Sequence, residues 1–315
     1  MAEPPTGNPS TSPTRARLLA AAAGLLATSV FWGSAVPFNK VLLRHLDPFV
    51  LTSARMALSV AILACFVAWR EKGPLLALPT SLRRFVLLGL FMAGFNVLYT
   101  LSVLWSNAIT IAAITVAMPL TGALVARVML GTRLEKGFWT ALALSIAGGI
   151  LVVWGQPGFD ADALGLQGGE ILMLLAMVSW NVYSLKAQQW LGHLGQARLT
   201  LISSVSTCLW LAAVLALMLA LGVAQAPPQA PPVHIAAMVG YLALFSAAVG
   251  NILWNFGVSV VGLPISSLYI NLSAVFAVLI AIGFGIEPTW LQVLGGLVVL
   301  AGVLYIQLRR LRGST

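Results

Sequence analysis

Asn96-Val97-Leu98-Tyr99 returns in the second half of the chain as Asn251-Ile252-Leu253-Trp254, 155 residues later. A second pair, Ala147-Gly148 and Ala301-Gly302, is separated by 154 residues. Two nearly equal offsets, both close to half of the 315-residue chain, indicate an internal repeat rather than a shared apolar composition.

Apolar stretches fill both copies of this repeat. Each stretch has about 20 residues, enough to cross a bilayer core of roughly 30 Å. The ten stretches, numbered here as spans 1 to 10, cover residues 18–38, 49–69, 84–104, 109–129, 138–154, 168–188, 199–221, 234–256, 264–284 and 290–308. A unit of five spans ends on the opposite side of the membrane from its start, so the second copy must insert upside down. The sequence therefore predicts an all-α polytopic membrane protein, with ten transmembrane helices in two inverted five-helix repeats.

Composition and charge agree with a membrane protein. The chain is 60% hydrophobic and only 8% charged, with a mean hydropathy of +0.97, whereas soluble domains carry about 25% charged residues. Of its 17 Lys and Arg residues, all but Lys40, Arg44 and Arg55 fall on the predicted side of the N-terminus. This bias predicts that both termini are cytoplasmic, and it explains the net charge of +9 without nucleic acid as a partner. We expect the membrane to be the inner (plasma) membrane.

The domain boundaries follow from the span pattern. Residues 1–16 are predicted to be a disordered cytoplasmic tail, because they are rich in Pro, Ser and Thr. The first five-helix repeat is predicted over 17–155 and the second over 166–308. Residues 309–315 are predicted to be a basic cytoplasmic tail.

Several motifs stand at characteristic positions along the two halves. They are Trp32-Gly33, Lys40, Pro48, Arg55, Pro119, Leu130-Gly131 and Ala147-Gly148. This pattern resembles the EamA family of the drug/metabolite transporter (DMT) superfamily over nearly the whole membrane portion, and it is similar to the amino acid exporters of the YddG type. The resemblance implies a ten-helix secondary transporter that exports amino acids or related metabolites. Two positions depart from the family pattern: Thr132, where an acidic residue is usual, and Ser273-Ala274, where a proline is expected.

A transport cavity requires polar or aromatic side chains at depths where lipid would penalise them. Candidates that share helical faces in spans 1, 3, 6, 8 and 9 are Trp32, Asn39, Asn96, Tyr99, Trp180, Asn181, Tyr183, Asn251, Trp254, Asn255, Ser267 and Asn271. For each amide the alternative is a hydrogen bond between helices, worth about 0.6 kcal/mol. For an aromatic residue near a span end it is an anchor at the membrane interface.

Lys40, Arg55 and Pro119 are candidates for motif or gating roles. Arg55 lies about two turns into span 2. It could extend to the interface, pair with Asp47, or hold a substrate carboxylate with Lys40 as a helper. Pro119, in the middle of span 4, predicts either a static kink or a hinge that frees the carbonyl of Thr115.

Motifs of enzymes are missing from the sequence, including a nucleotide-binding loop and a zinc-protease helix. Cys65 and Cys208 have no metal-binding spacing, so we expect neither metal nor cofactor. The expected function is export of small zwitterionic metabolites, above all amino acids including aromatic ones. The alternative is a drug or other metabolite exporter, and a further alternative is a membrane enzyme or scaffold. Expected partners are a small-molecule substrate and the lipid bilayer, with the chain a monomer or homodimer.

Overall fold

A computed structural model provides the structure of the protein. It describes residues 13–71, 80–106, 108–156, 158–159, 167–227, 229–283, 285 and 287–313. Every regular element in this part of the chain is a helix. Residues 1–12 of the predicted tail lie outside the described residues, and the first helix already begins at Arg15.

Thirteen α-helices and one π-helix make up the described chain. In order they are α1 Arg15–Leu42, α2 Pro48–Arg70, α3 Leu82–Leu104, α4 Ala108–Thr115, α5 Met118–Leu130, α6 Phe138–Trp154, α7 Gly169–Leu191, α8 Gln196–Ala220, α9 Val233–Tyr241, the π-helix Leu242–Val249, α10 Gly250–Val261, α11 Leu263–Leu268, α12 Ile270–Ile282 and α13 Trp290–Gly313.

Seven helical segments in the described chain are long and apolar enough to cross a membrane. They are α1, α2, α3, α8, the continuous segment Val233–Val261, the segment Leu263–Ile282, and α13. Two shorter apolar helices, α5 and α6, add to these. The 23-residue α7 is also long enough, but Asn181, Ser184 and Lys186 interrupt its apolar run. The set fits two repeats of five spans.

Side-chain caps fix where several spans begin. Asp47 is the N-cap of α2, and its carboxylate accepts the backbone N–H of Phe49 at 2.8 Å. Thr14 and Ser81 cap α1 and α3 in the same way. Each cap satisfies a backbone donor that has no partner within its helix. The caps therefore set the level at which these helices start, and with it the depth of every side chain that follows.

The two halves pack against each other through pairs of corresponding helices, as a two-fold repeat requires. Helix α3 lies along α7, and the corresponding helix of the second half, α10, lies along α1. Span 2 packs on span 7, and span 5 on span 10, so each of these spans meets its own counterpart. This arrangement brings α1 and α3 of the first half together with α7 and α10 of the second half.

Spans 5 and 10 approach until their backbones touch. A Cβ added to Gly148 would lie 2.5 Å from the carbonyl oxygen of Gly295, and a Cβ on Gly295 would lie 2.5 Å from the carbonyl oxygen of Gly148. Small residues let helices come this close in lipid, where no hydrophobic force drives them together. This contact makes the pair α6 and α13 a scaffold that joins the two halves.

Spans 4 and 9 are each interrupted, at corresponding places. Span 4 breaks between Thr115 and Met118, and span 9 breaks at Tyr269. Pro119 lies in the first turn of α5, where the missing N–H costs no hydrogen bond. Span 9 breaks without a proline at that place, so the interruption belongs to the repeat and not to one residue.

Candidate functional site

Three tryptophans from three different spans meet where the halves join. The ring centroid of Trp32 in α1 lies 5.4 Å from that of Trp180 in α7 and 5.4 Å from that of Trp254 in α10. The rings of Trp180 and Trp254 are 5.7 Å apart. Tilted and edge-to-face contacts at these distances are favourable for aromatic rings. The structure therefore brings together the three tryptophans that the sequence analysis selected as cavity candidates.

Hydrogen bonds fix two of these rings. Trp32 donates its Nε1–H to the carbonyl of Ser246, within the π-helix, at 3.1 Å. Trp254 donates its Nε1–H to Ser184 Oγ at 3.0 Å. The buried Nε1–H of Trp180 has no acceptor among the described residues. Because a buried donor without a partner is costly, this group is a natural donor for a bound molecule.

The cluster continues onto α3 and along α7. Phe95 lies 5.1 Å from Trp180 and 6.0 Å from Tyr99, ring to ring. Tyr183 lies 5.5 Å from Trp180 and is fully buried. The sequence analysis selected Tyr99 and Tyr183 but missed Phe95. Its spacing of four residues from Tyr99 places both rings on one helical face and could have revealed it.

Arg55 enters the protein interior and meets Asn96. Its Nη2 donates to Asn96 Oδ1 at 3.4 Å, and Tyr99 lies within electrostatic range of the guanidinium. Arg55 Nε is buried without an acceptor in the described structure. Both partners lie about 10 Å from the nearer end of their helices, Arg55 from Pro48 and Asn96 from Leu104. The side chain thus points across the bundle, and it does not extend to the membrane surface as one prediction had it.

Asp47 does not pair with Arg55, which was another prediction. Its carboxylate accepts hydrogen bonds from the backbone N–H groups of Phe49 and Val50 at the start of α2. It also accepts one from the backbone N–H of Gln225 at 3.4 Å. The other described carboxylates are also elsewhere: Glu71 pairs with Arg198, Glu135 with Arg310, Glu170 accepts from Ser106, and Glu287 is exposed. In the described chain, Arg55 is therefore an interior cation without a carboxylate.

Several predicted cavity amides join helices in this conformation. Asn181 donates to Thr121 Oγ1 at 3.1 Å, and Asn255 donates to Thr200 Oγ1 at 3.1 Å. Ser267 donates to the carbonyl of Pro264, within its own segment, at 2.8 Å. All three candidates are fully buried. The contacts of the two amides correspond to the interhelical hydrogen bond considered as their alternative, whereas that of Ser267 stays within its own helix.

Asn271 stabilises the interruption of span 4 through hydrogen bonds. Its Nδ2 donates to the carbonyl of Val116 at 3.0 Å and to Ser145 Oγ at 3.0 Å. The carbonyl held here is that of Val116, next to the Thr115 carbonyl that the sequence analysis selected. In the second half, Ser29 Oγ donates to the carbonyl of Tyr269 at the corresponding break, at 2.8 Å. Each interruption is thus stabilised by a side chain from another span.

We expect replacement of Asn271 by leucine to lower the stability of the protein by about 1–3 kcal/mol, because the buried carbonyl of Val116 would lose its donor. Thermal unfolding of the purified protein in detergent measures this change. Asn39→Leu is the matched control, since Asn39 is only half-buried near the end of α1. Equal melting temperatures for both variants would contradict a structural role for Asn271.

Asn251 differs from the other buried amides. It is 5% exposed, and its side chain makes no hydrogen bond within the described residues. It lies one turn before Trp254 on α10, so it projects from the face that carries the cluster. Lys40, by contrast, is exposed in the last turn of α1. Asn251 is the amide best placed to meet a bound molecule.

Comparisons with known proteins agree with this architecture. The model of the EamA-like transporter family matches the chain twice, over residues 19–154 and 167–308. An uncharacterized transporter of Bacillus subtilis (strain 168), YyaM, is 23% identical over 282 residues, which cover 89% of this chain and 91% of that protein. A solved structure, described only as the crystal structure of a protein, has a TM-score of 0.78 at 15% identity and covers 96% of this chain and all of its own.

Proposed function

The chain belongs to the EamA-like transporter family, and on this basis we propose that it exports small zwitterionic metabolites, above all amino acids including aromatic ones, by alternating access. It is a multi-pass membrane transporter of the drug/metabolite transporter superfamily and not an enzyme. The proposal adds the substrate, the direction, ten spans with both termini in the cytoplasm, and the inner membrane as its location.

One observation carries the choice of substrate: the guanidinium of Arg55 lies inside the helix bundle without a carboxylate among the described residues. A charge at this depth is expensive unless it is paired, and intramembrane charges commonly mark substrate pathways. The carboxylate of an amino acid would supply the partner, with the fork geometry that arginine favours. Asn96 would hold the guanidinium in place while the site is empty.

The aromatic cluster suits the rest of an amino acid. The faces of Trp32, Trp180 and Trp254 can pack on an apolar or aromatic side chain and can attract an ammonium group. The free amide oxygen of Asn251 can accept a hydrogen bond from that ammonium. A substrate whose own charges cancel needs few fixed charges around it, as is seen here.

The described spans offer no carboxylate for a lipophilic cation, because each of the five described carboxylates lies at a helix end or in a loop. This favours the amino acid over the drug alternative. It also favours a facilitator or exchanger that is driven by the gradient of the substrate, since carriers that move protons usually keep an acid or histidine within the membrane.

We expect Trp180→Ala and Asn251→Ala to lower amino acid flux about tenfold or more without lowering the amount of protein in the membrane. Proteoliposomes loaded with a panel of labelled amino acids measure the flux and identify the substrate. Trp290→Ala is the matched control, because this tryptophan is 71% exposed at the start of α13. Unchanged flux in both site variants would remove these residues from the site, and no flux of any amino acid in wild type would refute the proposed substrate.

A further inference from the structure

A groove on the outer surface of spans 4 and 5 is not explained by transport. It encloses about 560 Å³ between the second half of span 4 and the start of span 5. Its walls include Leu120, Leu124 and Arg127 from α5, Arg133 from the following loop, and Trp139 from α6.

The three α5 residues of the groove share one helical face. This face is opposite to that of Gly122, which packs on Asn181 and Ser267. The groove therefore faces away from the aromatic cluster.

The charged end of the groove holds two cations without counterions. Arg127 and Arg133 are both exposed, and neither side chain makes an ion pair or hydrogen bond within the described chain. The nearest acid in sequence, Glu135, is already paired with Arg310 of α13. The two guanidiniums thus remain available to an anion, and each can bind a phosphate through two parallel hydrogen bonds.

The other end of the groove is apolar and open to lipid. Leu124 is 57% exposed and Trp139 is 61% exposed. Leu120 lies about 10 Å from Arg127 along the axis of α5, toward the middle of the membrane. Arg127 lies in the last turn of α5, and Trp139 is the second residue of α6, so the charged end is at the membrane boundary. Tryptophan and arginine both favour that level.

From this order of groups we infer that the groove binds an anionic phospholipid. The phosphate of this lipid lies between Arg127 and Arg133, and one of its acyl chains packs along Leu120 and Leu124. A free phosphate would bind the two cations but would make no contact with the apolar wall. A zwitterionic lipid would fill the wall but would leave the two positive charges unbalanced. Basic pockets beside membrane helices are suited to such headgroups.

The purified full-length protein in detergent allows a direct test. Short-chain phosphatidylglycerol should raise the melting temperature and appear as a bound adduct in native mass spectrometry, whereas phosphatidylcholine with the same chains should do neither. In the double variant Arg127→Gln/Arg133→Gln, the affinity for phosphatidylglycerol should fall about tenfold or more. Arg15→Gln/Arg17→Gln is the matched control, because it removes the same charge from exposed positions on the same predicted side.

Two outcomes would overturn the inference. Phosphatidylglycerol binding that is equal in the double variant and in the control would place the lipid elsewhere. Stabilisation by inorganic phosphate alone, to the same extent as by phosphatidylglycerol, would make this a site for free anions. The single variant Arg133→Gln keeps the test decisive should the double variant fold poorly, since Arg133 lies in a loop outside the helices. Amino acid transport is not needed for either readout, so the proposed function is tested separately.

Discussion

Replacing Arg55 by glutamine is expected to abolish the preference of the transporter for substrates that carry a carboxylate. The guanidinium lies in the interior without an acid among the described residues, and Asn96 gives it only a long hydrogen bond of 3.4 Å. A hydrogen bond to a charged group contributes about 1.5–3 kcal/mol, so the affinity for an amino acid should fall about tenfold to a hundredfold.

Competition between an amino acid and its decarboxylated amine measures this effect most directly. In wild-type proteoliposomes, phenylalanine should inhibit uptake of the labelled substrate far better than phenethylamine, which lacks only the carboxylate. In Arg55→Gln the two should compete equally. Loss of a side chain that merely holds helices together would reduce uptake without changing this ratio.

Arg55→Lys is the matched variant, because it keeps the positive charge but loses the fork of donors. It should retain part of the preference for the carboxylate. Membrane abundance should remain unchanged in both variants, since glutamine and lysine can both still donate to Asn96 Oδ1. Should Arg55→Gln discriminate against the amine as strongly as wild type, Arg55 would not bind the carboxylate.

Gly148→Leu is expected to separate spans 5 and 10 and to destabilise the whole protein. Even a single Cβ at this position would lie 2.5 Å from the carbonyl oxygen of Gly295 and 2.6 Å from the backbone nitrogen of Val299. Backbone atoms of two long helices cannot move aside as a flexible side chain can. Overpacking of this kind costs about 1–3 kcal/mol or more, which corresponds to a melting temperature lower by roughly 5 °C.

Gly240→Leu provides the matched control. Gly240 also lies in an apolar helix, α9, but a Cβ added there meets no atom within 4 Å in the described structure. Thermal unfolding and membrane abundance should therefore change little in Gly240→Leu and strongly in Gly148→Leu. Equal stability of the two variants would contradict the close backbone contact. The reciprocal change, Gly295→Leu, should behave like Gly148→Leu.

The sequence predicted the repeat and the residues at the centre of the bundle. Trp32, Trp180 and Trp254 lie on three different spans and far apart in the chain, and the structure brings their rings within 6 Å of one another. They could be selected because the face on which a residue lies can be counted along the helix, and their role in binding a substrate stays a prediction. The two matches of the family model confirm the twofold organisation on which it rests.

The roles of the individual amides could not be predicted in the same way. Asn251 and Asn255 are separated by one turn on one helix and looked equivalent, yet Asn255 bonds to Thr200 whereas Asn251 makes no side-chain bond in the described chain. Likewise, Asp47 and Arg55 looked like partners until the carboxylate was found to cap its own helix. The partner of Asn255 lies on another helix, so the local sequence does not reveal it, whereas Asp47 directly before Pro48 is a local capping signal that could have been recognised.

What the sequence by itself determined is the all-helical class of the protein and its twofold repetition, because apolar length and helical period are local properties of the chain. Only the tertiary structure decided which faces meet across the two halves. Phe95 and Trp180 come into contact through the packing of α3 on α7, and the carbonyl of Val116 receives its donor from Asn271, 155 residues away. In lipid such pairings depend on the close fit of whole helix surfaces, for which the chain carries no local signal.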